Sequence, residues 1–333
     1  MMNKIAVFSS KKYDRTFIER FNQDTSLEFE FFEYKLSAET VDLAKGYRAV
    51  CIFVNDDVNK TVLDKLYQFG INVIALRCAG FNNVDIEHTK SLGMKICRVP
   101  EYSPQAVAEH AVGLMLTLSR KFHKAYNRVR EDNFSLDGLM GFNLHQKTVG
   151  IIGTGNIGLA TLKILNGFGC QLIAFDPNEN PEALALGVKY VELNQLFTQS
   201  DIISLHCPLL KQTQHIINAE SLKLMQPTAM LINTSRGGLI DSHAVVDALK
   251  HKKLGYLGID VYELESELFF EDLSGEIIQD DIFSRLSTFP NVLITGHQGF
   301  FTEEAISTIA KTTIDSLEKL LNNQSLTPDV LLY

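Results

Sequence analysis

Three kinds of side chain in the second half of this 333-residue chain could together carry out a proton-coupled reduction. An arginine stands in Thr234-Ser235-Arg236-Gly237-Gly238, carboxylates stand at Asp260 and in Tyr262-Glu263-Leu264-Glu265, and a histidine stands in Gly296-His297-Gln298. A guanidinium can grip a substrate carboxylate through two parallel hydrogen bonds. An imidazole can pass a proton near neutral pH, and a carboxylate beside it orients the ring and favours its charged form. Each has a plainer reading alone. A lone arginine makes a surface ion pair worth little, an acid in an acidic stretch is a solvated charge, and a histidine at a strand end is usually structural. For that last reason His110, His206 and His215 are given no acid/base work. Position sets the others apart, because each follows an apolar run that reads as a strand. Ligands of open α/β sheets bind outside the carboxyl ends of the strands.

A cofactor for such a reduction is written into Lys147 to Asp176. The apolar run Val149 to Ile152 leads into Gly153-Thr154-Gly155-Asn156-Ile157-Gly158, a helical stretch follows from Leu159 to Asn166, and the strand Gln171 to Phe175 ends in Asp176. Strand, G-x-G-x-x-G, helix and an acid 18 positions after the last glycine make the dinucleotide-binding βαβ unit. Gly153 permits the tight turn, Gly155 admits a pyrophosphate close to the backbone, and Gly158 lets helix and strand pack. The helix N-terminus offers N–H groups from about Asn156 and Ile157 to the phosphate charge. Asp176 can accept from both adenosine ribose hydroxyls and would repel a 2′-phosphate, so NAD is expected rather than NADP.

The rest of the chain must position these groups. Its length exceeds what one hydrophobic core usually serves, so two domains are expected. A net charge of −9 and a pI near 5.5 speak against nucleic acid as a partner, which needs a basic footprint. An anionic small-molecule substrate then needs a locally placed arginine. Cys51, Cys78, Cys97, Cys170 and Cys207 are odd in number and lack a C-x-x-C pair, which fits reduced thiols and no metal site. No apolar run has the length of a membrane span or a signal peptide, and a cytoplasmic protein is expected.

Short strands are expected at Ile5–Phe8, Phe29–Phe32, Ala49–Val54, Ile71–Leu76 and Met94–Val99, alternating with helices near Tyr13–Asn22, Ala38–Ala44 and Asn59–Phe69. This alternation predicts a parallel sheet with helices on both faces. Ser103 and Pro104 read as N-cap and first residue of one long helix to Val129, with Ala108, Ala111, Val112, Met115 and Leu118 or Ser119 on its buried face. Beyond Asp176, strands are expected at Ile202–Leu205, Ala229–Asn233, Gly255–Val261 and Asn291–Thr295. Glu263–Ser284 reads as a surface loop with a short helical piece, Thr302–Leu321 as an amphipathic helix, and Asn322–Tyr333 as a tail.

The motifs GTGNIG, HCPL, TSRGGLID, GIDVYELE and ITGHQGF, with RCAGFNNVD and VPEYSPQAVAEHA nearer the N-terminus, resemble the D-isomer-specific 2-hydroxyacid dehydrogenases over nearly the whole chain. Within that family they are most similar to the bacterial fermentative enzymes. The resemblance implies two doubly wound, Rossmann-like parallel-sheet α/β domains. Residues 1–101 form a flavodoxin-like substrate domain to which 300–333 return, and 102–299 form the NAD domain. It implies reversible reduction of pyruvate to D-lactate by NADH, with Arg236 as substrate anchor, His297 as acid/base and Glu265, rather than Glu263, as its partner. Asn156, Ile157, Asp176, Cys207, Pro208, Thr213, Thr234, Ser235 and Asp260 would line the NAD site. Cys78 and Ala79 would offer N–H groups to the substrate carboxylate, with Tyr102 and Phe300 shaping the pocket. A homodimer or higher homo-oligomer, built largely on the central domains, is also implied. The alternatives are a sister enzyme for larger 2-keto acids or hydroxypyruvate, and a dinucleotide-sensing regulatory protein of the same fold. Where many family members carry proline before the histidine this chain has Gly296, which is expected to loosen the backbone at His297.

Overall fold

The computed structural model describes residues 3–265 and 268–332. Two compact units divide the chain: one runs to Ser103 and resumes at Phe301, and the other is Pro104–Phe300. The division lies slightly later than 101/102 and 299/300, which puts Tyr102 in the first unit and Phe300 in the second.

The first unit contains β1 (Asn3–Val7), α1 (Lys12–Phe21), β2 (Leu27–Phe31), β3 (Ala49–Ile52), α2 (Lys60–Gln68), β4 (Val73–Leu76), α3 (Ile86–Ser91) and β5 (Lys95–Cys97). All strand pairs are parallel in the order β2-β1-β3-β4-β5, a flavodoxin-like arrangement. The β3 and β4 strands are buried at every position, which is why they read as unbroken apolar runs rather than alternating ones. The expected helix over 38–44 is only a 3₁₀ turn at Val41–Ala44. At the carboxyl end of the sheet the buried Arg77 follows β4. Its Nε donates to Asp14 Oδ1 at 3.0 Å and its Nη2 to the Ser9 carbonyl at 2.7 Å, tying the end of β4 to the β1–α1 turn. Asp14 also accepts from the Lys11 N–H at 2.9 Å, so one carboxylate caps α1 and neutralises the arginine.

The second unit contains α4 (Pro104–Arg120), α5 (Phe122–Arg130), β6 (Thr148–Ile152), α6 (Asn156–Gly167), β7 (Gln171–Phe175), α7 (Pro181–Ala185), β8 (Lys189–Tyr190), α8 (Leu193–Gln199), β9 (Ile202–Leu205), α9 (Ala219–Leu224), β10 (Met230–Asn233), α10 (Ser242–Lys250), β11 (Tyr256–Ile259), α11 (Asp281–Ser287) and β12 (Val292–Ile294). Its strands are parallel in the order β12-β11-β10-β9-β6-β7-β8. The chain builds outward from β6 through β7 to β8, then returns to place β9 on the other side of β6. The switch point, where a crevice opens in such sheets, is therefore between β6 and β9.

One helix was expected across 105–129, and two are present. Lys121 takes a left-handed conformation (φ 55°) between α4 and α5. The Ser119 carbonyl accepts from the Phe142 N–H at 3.3 Å, and Gly141 lies so close that a Cβ there would sit 2.1 Å from the same oxygen. That oxygen takes a loop donor just where α4 ends. Ala108, Ala111, Val112, Met115, Leu118 and Ser119 form the buried side of α4. In the acidic stretch α11 begins at Asp281, where Asp280 accepts from the Phe283 N–H at 2.8 Å. Ser266 and Glu267 of the expected loop, and Tyr333 of the expected tail, lie outside the described residues.

The chain then returns to the first unit as α12 (Glu303–Leu321), capped by Thr302. Ile306, Ile309, Ala310, Thr313, Ile314, Leu317 and Leu320 are buried at helical spacing, and Ala310, Ile314, Leu317 and Leu320 share a core with Ile5, Val7, Ala75 and Cys97. The final segment pairs along β5, with the Arg98 N–H donating to Val330 and the Leu332 N–H to Ile96, both at 2.9 Å.

Candidate active site

The β10, β11 and β12 strands are neighbours, and each delivers one expected reactive group beyond its carboxyl end. After β10 the chain bends at Ser235, and extended Arg236 leads into a 3₁₀ turn at Gly237–Leu239. The buried Asn233 side chain holds this turn from inside, accepting from the Ser235 N–H at 3.0 Å and donating to the Arg236 carbonyl at 2.9 Å. Gly237 packs directly on the irregular segment that follows β11, since a Cβ there would lie 2.1 Å from the Tyr262 carbonyl. The Arg236 guanidinium, half-buried, donates from Nη1 to the Ser235 carbonyl at 2.7 Å.

Beyond β11, Glu265 folds back on its own turn. Its Oε2 accepts from the Tyr262 N–H at 2.8 Å, and its Oε1 lies 3.0 Å from His297 Nδ1. Glu263, the other acid of the stretch, is engaged elsewhere: its Oε1 is 2.6 Å from His215 Nε2. With Nδ1 occupied by the carboxylate, Nε2 is the edge of His297 left to exchange a proton. Phe270 and Phe300 flank the ring, with centroids at 5.6 and 6.4 Å.

Asp260 sets the pose of the histidine. Its carbonyl accepts from the His297 N–H at 2.7 Å, and its carboxylate accepts from the Gln298 N–H at 2.9 Å and the Gly299 N–H at 2.7 Å. Thr295 Oγ1 donates to the same carboxylate, and His110 Nε2 lies 3.3 Å away. Burial alone would raise the Asp260 carboxyl. The surrounding hydrogen bonds, led by His110 and Thr295, outweigh that cost and hold it below the usual carboxylate range. Clamped this way, His297 itself adopts φ 53°, a left-handed backbone. Gly296 is not at positive φ, and a Cβ there would meet nothing within 4 Å. The left-handed residue of this turn is His297 itself, and its N–H is bonded to the Asp260 carbonyl.

The cofactor crevice lies at the switch point. Gly153 has φ 95°, and a Cβ on it would sit 2.7 Å from the Cys207 nitrogen, so the glycine turn after β6 and the His206-Cys207-Pro208 turn after β9 touch backbone to backbone. A Cβ on Gly158 would lie 2.0 Å from the Gly153 carbonyl, whereas one on Gly155 would meet nothing. The space over Gly155 is what a pyrophosphate would use, and α6 begins there without a side-chain cap. Asp176 Oδ2 accepts from the Thr154 N–H at 2.7 Å and its Oδ1 from the Asn178 N–H at 2.9 Å, which aims the carboxylate across the glycine turn. Thr213 Oγ1 donates to the Pro208 carbonyl at 2.6 Å, Ser235 Oγ donates to the Cys207 carbonyl at 2.7 Å, and buried Thr234 Oγ1 has no partner among the described residues. Burial pushes the Cys207 thiol up to about 11, which removes it as a nucleophile. Burial likewise pushes His206 down to about 4, so it is neutral at pH 7 and holds Ser204 Oγ at 2.9 Å.

Comparison with known proteins places this arrangement. The sequence profile of the D-isomer specific 2-hydroxyacid dehydrogenase NAD binding domain matches residues 112–299. D-lactate dehydrogenase of Escherichia coli is 54% identical over 317 residues, covering 95% of this chain and 96% of that one. The chain belongs to the D-isomer-specific 2-hydroxyacid dehydrogenases. The solved structure of the pyruvate reductase of Chlamydomonas reinhardtii is 42% identical, with a TM-score of 0.92 over 98% of each chain. The NAD-complexed D-isomer specific 2-hydroxyacid dehydrogenase of Lactobacillus delbrueckii ssp. bulgaricus is 30% identical, with a TM-score of 0.80 over 99% of this chain and 100% of that one.

The dehydrogenase is thus an NAD-dependent oxidoreductase of two parallel-sheet α/β units. Gly153, Gly155, Asn156, Ile157, Gly158 and Asp176 stand around the glycine turn, and Cys207, Pro208, Thr213, Thr234, Ser235 and Asp260 stand at the ends of β9, β10 and β11. Arg236, Glu265, His297 and Phe300 gather at the ends of β10 to β12, while Cys78, Ala79 and Tyr102 belong to the first unit. Sequence reasoning missed Asn233, Thr295 and Phe270, and set His110 aside as an acid/base group without seeing its place beside Asp260. Asn233 had a signal, a polar residue closing an apolar strand beside Thr-Ser-Arg-Gly-Gly. The contacts of Thr295, His110 and Phe270 are recognisable only once the chain is folded.

Asp176→Ala should test the coenzyme assignment. Losing one or two charge-assisted hydrogen bonds should weaken NADH binding by roughly 10–100-fold, and losing the negative charge should narrow the gap to NADPH. The ratio of kcat/KM for the two coenzymes measures it, and an unchanged ratio would remove Asp176 as the selector.

Proposed function

We propose that this dehydrogenase interconverts pyruvate and D-lactate, with Arg236 anchoring the substrate, His297 as acid/base and Glu265 as its partner. The observation that carries the reading is the 3.0 Å contact between His297 Nδ1 and Glu265, one strand away from Arg236. NADH, when bound, supplies the hydride. Arg236 holds the keto acid's carboxylate and polarises the adjoining carbonyl. His297, oriented by Glu265, donates a proton from Nε2 to the carbonyl oxygen as that oxygen becomes a hydroxyl, and takes it back in the oxidative direction. The Escherichia coli relative, a D-lactate dehydrogenase, and the Chlamydomonas relative, a pyruvate reductase, support pyruvate and D-lactate as the pair.

The family resemblance adds Cys78, Ala79 and Tyr102 as substrate-binding residues. It makes 1–101 with 300–333 the substrate domain and 102–299 the NAD domain. It also supports a cytoplasmic enzyme and a homodimer built largely on the second unit. Phe122, Tyr126, Val129, Phe134, Leu136 and Met140, exposed along one segment, suit such a contact. Among the described residues no helix is long and apolar enough to cross a membrane. The deciding experiment is a panel of 2-keto acids with NADH and chiral analysis of the products. Pyruvate turned over to D-lactate with the highest kcat/KM supports the assignment. A larger keto acid in that place moves it to a sister enzyme, and NADH binding without turnover moves it to a dinucleotide sensor.

A further inference from the structure

Arg98, which no step above uses, stands just beyond β5 in the first unit. Its Nη1 donates to the Ala79 carbonyl at 3.0 Å and its Nε to the Asp329 carbonyl at 3.3 Å, while its guanidinium carbon lies 5.3 Å from the centroid of the Phe81 ring. The neighbouring Val99 N–H donates to the Cys78 carbonyl at 3.2 Å. Two successive carbonyls of the loop after β4 are thus drawn toward the end of β5. Behind them, buried Arg77 fixes the start of the same loop through Asp14 and the Ser9 carbonyl.

A peptide group is planar, so a carbonyl held on one side presents the N–H of the next residue on the other. Val99, by holding the Cys78 carbonyl, sets the Ala79 N–H. Arg98, by holding the Ala79 carbonyl, sets the following plane and so restrains Ala79 between two fixed peptides. We infer that Arg98 is a positioning residue for the substrate carboxylate, acting through the backbone of the Cys78–Ala79 loop. The inference rests on the proposed reading, in which that loop offers N–H groups to a 2-keto acid. The choice of arginine follows from the geometry. Its planar fork bridges two carbonyls far apart in sequence and lies against an aromatic ring, whereas a lysine ammonium is a single point that satisfies one of them at a time.

The side chain is one tie among several to the C-terminal segment, through the Asp329 carbonyl. The Arg98 N–H to Val330, the Leu332 N–H to Ile96 and the bridge between Cys97 and Leu331 are all backbone pairings. Removing the guanidinium should therefore free the loop while leaving the fold paired, which separates positioning from general stability.

The test is Arg98→Met and Arg98→Lys in the full chain, with KM and kcat for pyruvate, inhibition by oxamate, NADH affinity and melting temperature measured on each. Misdirected loop donors should raise KM for pyruvate and weaken oxamate by roughly tenfold in Arg98→Met, with kcat changed by less than about threefold and NADH affinity unchanged. Arg98→Lys should recover part of that loss. A parental KM in Arg98→Met, equal losses for pyruvate and NADH, or a lysine variant no better than the methionine one would each overturn the inference. Absence of 2-keto acid turnover in the parent protein would instead strike the functional reading, so the two failures are distinguishable.

Discussion

Arg236→Lys should lower kcat/KM for pyruvate by roughly 10²–10³-fold while NADH affinity stays within about twofold of the parent. The substitution keeps the charge, so a purely electrostatic role would predict a small effect. The large loss is expected because the fork is already aimed. Asn233 locks the turn from inside, Gly237 seats it on the Tyr262 carbonyl, and Nη1 rests on the Ser235 carbonyl at 2.7 Å, leaving the remaining donors in one plane. Lysine offers rotating donors from a single point and cannot meet two carboxylate oxygens in that plane. Steady-state kinetics with pyruvate, beside NADH fluorescence titration, would check it. A parallel loss of NADH affinity would place the side chain at the cofactor instead.

Glu265→Gln should cost roughly 10²-fold in pyruvate reduction while NADH affinity stays near the parent's. The carboxylate lies 3.0 Å from His297 Nδ1 and leaves Nε2 as the edge that exchanges a proton. A glutamine there can keep an oxygen on the Tyr262 N–H, but its amide nitrogen then meets Nδ1 as a donor where an acceptor stood. The ring is then held in the wrong arrangement, so kcat and kcat/KM should fall together. Steady-state kinetics in both directions, beside NADH fluorescence titration, would check it, and a hydride isotope effect confirms that chemistry is being watched. A parental kcat in the glutamine variant, or an equal loss of NADH affinity, would remove Glu265 as the group that orients His297.

Most of this architecture could be read from the chain because its strands are buried on both faces. Parallel strands covered on two sides leave continuous apolar runs, and Ile202–Leu205 and Gln171–Phe175 are recovered to the residue. The glycine fingerprint was equally legible, since tight turns and close backbone approaches admit few other residues. Less visible were features decided by contacts distant in sequence. Nothing local marks Lys121 as the break between α4 and α5, because the Ser119 carbonyl is claimed by Phe142. The two-residue β8 is too short to show any periodicity. Asp260 read as a cofactor residue, but its role in shaping the His297 turn appears only when Thr295, Gln298 and Gly299 fold back onto it. Gly296 drew the eye for its freedom, whereas the left-handed residue is its neighbour His297, whose N–H is bonded to the Asp260 carbonyl beyond another strand.

The histidine is carried by the outermost strand of its sheet. The β12 strand is three residues long, half-buried throughout, and paired with β11 alone. Its ladder gives little resistance to fraying, and the bonds converging on Asp260 supply most of what keeps its carboxyl end in place. Catalytic competence and global folding should therefore part company under mild stress. As urea rises, turnover should vanish before the buried centre of the sheet opens. Amide hydrogens of His297 and Gln298 should exchange well ahead of those of Ile151 and Ile203, and equal protection at both places would show that the edge is as firm as the middle.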